Sequence, residues 1–163
     1  MRYCTMVAGL ALLLPGVGVG MSRIGGESSV AVRSLDHGGY CGSERRGAVW
    51  LDDAKAVAAF ARQDDNRLNR SAVQDVDFGE RAVVVVSMGT QPTGGYVVRL
   101  EAGASRLSDG VLTVAVEWHQ PGAAAITTQA LTQPCLVVSV PRGRYKELVF
   151  VDKAGKAAIR LAR

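Results

Sequence analysis

Three cysteines (Cys4, Cys41, Cys135) and two histidines (His37, His119) are the side chains best suited to chemistry in this 163-residue chain. A cysteine nucleophile needs a thiolate beside a histidine and an acid to orient the ring. Cys41 follows His37 closely, with Asp36 and Glu44 nearby in sequence, so this cluster is the candidate centre of a small hydrolase. It sits in a glycine-rich stretch without a cysteine-enzyme signature, and a triad is defined by spatial geometry that spacing does not supply. His37, Cys41, His119 and Cys135 are also the right ligand types for zinc, but C-x-x-C and H-x-x-x-H spacings are absent. The reading is therefore no catalytic residue, no metal and no cofactor, with two solvated histidines.

The cysteines have a simpler use. Residues 1–22 combine Arg2, an apolar run from Met6 to Leu14, Pro15 and a small-residue stretch ending at Gly20. That is the layout of a secretory signal peptide cleaved near Gly20 or Ser22. The run is too short, and broken by Pro15, for a membrane span. Cys4 precedes it, so no lipid anchor is expected. Export to the periplasm or beyond would leave Cys41 and Cys135 in an oxidising compartment, and we expect them to form a disulfide. The rival reading makes Cys135 a small buried hydrophobe and Cys41 a free turn thiol.

Composition excludes several classes. Apolar residues are 48% of the chain and charged residues 21%, an ordinary globular balance. The net charge is +4, with acidic and basic residues interspersed, so no nucleic-acid partner is indicated. A membrane bundle, a fibre, a multidomain enzyme and a disulfide-dense toxin are all excluded. Residues 23–163 have the length of one domain.

The elements that must position these side chains are mostly strands. Residues 28–34 alternate around Val30 and Val32, and 36–39 reads as a turn. Asp52 and Asp53 offer an N-cap for one helix over 54–63, whose Val57, Phe60 and Ala61 share a face. Residues 64–74 read as an exposed polar loop. The β-branched run 82–86 predicts a strand buried on both faces. Further strands are expected at 96–100, 111–119, 126–129, 135–140 and 147–151, with a closing hairpin at 153–156. Short strands separated by Gly/Pro turns predict a mainly β fold, an antiparallel β-sandwich or open barrel with one short α-helix. Trp118 is read as core packing, and the turn around Arg142, Arg144 and Tyr145 as either solvated or anion-binding.

The most informative stretch is Gly89, Thr90, Gln91, Pro92, Thr93, Gly94, Gly95 and Tyr96. Pro92 presets φ, and Gly94 and Gly95 permit positive φ, so the segment reads as an exposed hairpin turn. It is followed by Leu112, Val114 and Val116, and then by Thr132, Gln133, Pro134 and Cys135. The order resembles the PrcB-like domain family: a G-x-x-P-T-G-G-Y turn, an L-x-V-x-V strand and a T-x-P-Y-x-x-V segment. It covers about residues 76–151, and Cys135 stands where the family usually has Tyr. The resemblance implies an exported, non-catalytic interaction module of the cell envelope, an accessory partner of a secreted protease. Gln91, Pro92, Thr93, Gly94, Gly95 and Tyr96 are expected to form the partner-binding loop, because the segment is dense in turn formers and binding residues concentrate on loops held by a rigid scaffold. No stable membrane anchor is expected after signal cleavage. The loop is also similar in part to the N-P-T-T-G-Y loop of chagasin-type cysteine-protease inhibitors, with Gln91 and Gly94 replacing Asn and the second Thr. That similarity implies an inhibitor-like binder as the alternative, and a hydrolase using Cys41 is the remaining one.

Overall fold

The computed structural model describes residues 26–63 and 67–163; the export segment read at 1–22 lies outside them. In chain order these residues form β1 (Ser28–Ser29), β2 (Arg33–Gly38), β3 (Arg46–Leu51), helix α1 (Ala54–Phe60) and a 3-10 turn (Arg70–Val73). There follow β4 (Arg81–Met88), β5 (Val97–Ser108), β6 (Val111–His119), β7 (Cys135–Pro141), β8 (Glu147–Val151) and β9 (Ala157–Ala162). The fold is mainly β. One sheet has the order β1-β5-β6-β8-β9 and the other β2-β7-β4-β3, so the strands stack as a sandwich and do not close into a barrel.

The side-chain pattern explains the layering. Along β6, Leu112, Val114 and Val116 are fully buried, while the intervening residues are only partly so. They meet Val84, Val86, Leu136, Val138 and Phe150 between the sheets. β4 lies inside its sheet, and its other face is buried too: Val83 and Val85 pack with Val137 under Val57 and Phe60 of α1. This is the two-sided burial that the continuous run 82–86 predicts. Helix α1 begins where Asp53 accepts a hydrogen bond from the Ala56 amide at 2.6 Å, as an N-cap should. No helix among the described residues is long and apolar enough to cross a membrane.

Four local expectations change. Residues 36–39 do not form a free turn, because Asp36, His37 and Gly38 pair with Val137, Leu136 and Cys135 in β2. Long-range pairing overrides their turn propensity. The loop after α1 is not wholly exposed: Leu68 and Val73 are buried in the second core, and Asn69 caps the 3-10 turn through Ser71. Residues 126–129 form no strand. Finally, the ladder from β6 to β8 is parallel, pairing Val111 with Glu147 and Ala115 with Val151. The chain leaves the first sheet, adds β7 to the second and re-enters in its original direction. The remaining pairs are antiparallel, and β8 and β9 form the expected closing hairpin.

Candidate site at the loop end of the sandwich

The segment 89–96 joins β4 to β5, which belong to different sheets. It is a crossover rather than a hairpin, because its two flanking strands do not pair with each other. Gly89 (φ +78°) and Gly95 (φ +87°) adopt the left-handed conformation that favours glycine. Gly94 does not. It is small for another reason, since a Cβ there would lie 3.0 Å from Thr128 Oγ1.

The neighbour that holds this segment is the long connection 120–134. The Gln91 amide donates to Thr132 O at 2.8 Å, and the Thr132 amide donates back at 3.0 Å. The Gly94 amide donates to Thr128 O at 2.9 Å, and Thr132 Oγ1 donates to Thr93 O at 2.9 Å. The two segments together make a braced ridge. Gln91 turns its amide inward, donating from Nε2 to Met88 O at 3.0 Å, and Thr93 Oγ1 donates to Gly94 O at 3.1 Å. Tyr96 packs its ring against the inter-sheet core. Of the six predicted loop residues, only Pro92 and Gly95 are exposed, and the other four are partly buried.

A third segment, 39–45, completes this end. The Gly42 amide donates to Gln133 O at 3.0 Å, the Gln133 amide to Gly39 O at 2.7 Å, and the Thr90 amide to Glu44 O at 2.9 Å. Ser87 Oγ accepts from the Ser43 amide at 2.8 Å and donates to Ser43 O at 3.0 Å. Cys41 and Cys135 form a disulfide with their Cα atoms 5.4 Å apart. The expected bridge is present, and the free-thiol alternative is not. Its consequence for chemistry is direct: a sulfur bonded to sulfur is neither a nucleophilic thiolate nor a zinc ligand. The hydrolase reading thereby loses Cys41. Among the described residues no three His, Cys, Asp or Glu side chains gather as a metal site.

Sequence reasoning missed the apolar part of the ridge. Ile126 is completely exposed and Leu131 is 69% exposed, both on the 120–134 connection. Apolar side chains exposed singly are ordinary on a protein surface, and these two stand on one connection. A signal was available: no Asp, Glu, Lys or Arg occurs between Gln120 and Pro141. Trp118 packs on the inter-sheet core, as expected. Arg142 donates to Phe78 O at 2.7 Å and to Asp52 O at 2.6 Å, so its guanidinium serves the fold rather than an anion.

Compared with known families, residues 82–141 match the family model described as PrcB C-terminal. That interval runs from β4 through the whole ridge to the end of β7. No curated protein and no solved structure matches the chain.

Proposed function

We propose, from the premise that residues 82–141 form a PrcB C-terminal domain, that the protein is an exported, non-catalytic accessory module of the cell envelope that docks on a secreted protease. The observation that carries this reading is the exposed pair Ile126 and Leu131. They stand on the same ridge as the family's G-x-x-P-T-G-G-Y segment, whose backbone is fixed by four hydrogen bonds to 128–132. A rigid loop platform with apolar side chains in water suits partner binding, because little ordering entropy is lost on contact. Pro92 and Gly95 add to the contact surface. Gln91, Thr93, Gly94 and Tyr96 hold its shape.

Export is part of the proposal. N-terminal sequencing of protein from the envelope fraction is expected to begin near residue 21 or 23, and intact Met1 would refute it. For the docking surface, cross-linking in the envelope fraction should capture a secreted protease. The double variant Ile126→Asp/Leu131→Asp should lose that capture while melting as the parent does, because both side chains are already in water. Undiminished capture would show that the ridge is not the contact. The Gln91, Pro92, Thr93, Gly94, Gly95, Tyr96 segment favours one second reading, an inhibitor-like binder. Loss of the captured protease's activity upon complex formation would select it over an accessory role.

A further inference from the structure

We infer that a cleft between Arg46, Trp118 and the β8–β9 turn is a binding site for the carboxylate groups of an extended acidic peptide. The cleft arises from a mismatch in strand lengths. The β6–β8 ladder ends at Ala115 and Val151, while β6 continues to His119 paired with β5 alone. The turn after β8 folds beside this overhang, and Arg46 and Met88 of the other sheet face it across a space of about 740 Å³.

The charges in this cleft are unequally committed. Lys153 is held by Glu117 at 3.2 Å and Glu101 at 3.8 Å. Asp152 Oδ1 accepts from the Ala154 and Lys156 amides, both at 2.9 Å, and so closes its own turn. Arg46 and Lys156 make no ion pair with any carboxylate among the described residues. The Arg46 guanidinium lies 4.9 Å from the Trp118 ring centroid. Stacking covers one face of the guanidinium and leaves its N–H edge free, the geometry that receives a carboxylate bidentately. Lys156, on the β8–β9 turn, adds a second uncommitted cation to the same cleft. A single small anion would occupy little of the space, and the apolar walls of Met88 and Ala158 suit the aliphatic stems of a peptide. The inference rests on the protein-partner reading only for the source of the peptide. Gln120 lines the cleft and opens the ridge connection, so an acidic segment of the docked partner would reach both.

The test uses the purified protein and three short N-acetylated peptides: a glutamate-rich peptide with an amidated end, an alanine peptide with a free C-terminal carboxylate, and a neutral glutamine peptide amide. Titration is followed by calorimetry and by Trp118 fluorescence in a Trp50→Phe background. Saturable binding of the glutamate peptide supports side-chain carboxylates, and binding of the free-ended peptide alone supports a chain terminus. In either case affinity should fall roughly tenfold in Lys156→Glu and in Arg46→Glu, and weaken between about 50 and 300 mM salt. Lys156 lies on an exposed turn, so its variant tests the site even if Arg46→Glu folds poorly. Binding of neither charged peptide, equal binding of the neutral one, equal displacement by inorganic phosphate, or binding unchanged in Lys156→Glu would overturn the inference. Protease capture through Ile126 and Leu131 is measured separately, so either reading can fail without the other.

Discussion

Cys41 and Cys135 sit on the buried face that β7 turns toward α1, and their bond closes a separation of 94 residues. Loop-closure entropy for such a span corresponds to about 4.5 kcal/mol, and removing a native bridge commonly costs about 2–5 kcal/mol. Cys41→Ala/Cys135→Ala should therefore lower the unfolding free energy by about 2–4 kcal/mol in urea titrations. Reductant should lower the wild type to the same level and leave the double variant unmoved. Tyr145 gives a second expectation at this scale. Burial pushes its phenol above the ordinary value, outweighing the lowering by the Arg81 and Arg163 charges, and its hydroxyl donates to Pro141 O at 2.8 Å. The folded state thus keeps the proton more tightly than the unfolded chain does. That contribution is complete below the unfolded pKa of about 10 and is lost as pH rises through the folded value. Stability should fall in the alkaline range, and less steeply in Tyr145→Phe, as urea titrations at successive pH values would show.

Helix α1 has seven residues, too few to stand alone, so its stability comes from the face it buries. Val57 and Phe60 cover the outer side of β4 and β7, and Asp53 starts the helix. Phe60→Ala should cost about 3–5 kcal/mol, whereas Lys55→Ala, on the exposed face, should change stability by less than about 0.5 kcal/mol. Equal effects in denaturant titrations would mean that the helix does not cap this core. The ridge is governed by a different balance. Gly95 (φ +87°) has a backbone that an L side chain adopts with strain, so Gly95→Ala should destabilise by about 1–2 kcal/mol. Gly94→Ala acts instead through Thr128, pressing the 120–134 connection away from its partner segment.

At the scale of the whole molecule, β4 and β7 each contribute one face to the inter-sheet core and the other to the core under α1. Neither core can dissolve without exposing strands that the other needs. Unfolding should accordingly be a single transition, with tryptophan fluorescence from the inter-sheet side and far-UV dichroism giving coincident urea curves. Separated midpoints would show that the α1 layer melts independently. The edges of the two sheets are also linked: Arg163, near the chain's end, stacks 4.3 Å over Trp50 of β3 and binds Asp52 at 2.9 Å. Loss of the β9 end would therefore loosen the opposite sheet.

Local information in the sequence was enough for the elements whose periodicity repeats over several residues. The run 82–86, the alternation of Leu112, Val114 and Val116, the Asp53 cap and the 153–156 hairpin are all legible one residue after the next, because burial on a strand or helix face recurs at a set spacing. The motif from Gly89 to Tyr96 was likewise legible locally, and it lies inside the interval 82–141 that matches the PrcB C-terminal family model. Tertiary structure alone decided which strands became neighbours. It placed β4 and β5 in different sheets, turned residues 36–38 into a paired strand, made β6 and β8 parallel, and brought Cys41 beside Cys135. It also turned Gln91 inward and left Ile126 and Leu131 in water. These outcomes depend on contacts between residues far apart in the chain, each selected by packing and pairing that no local window contains.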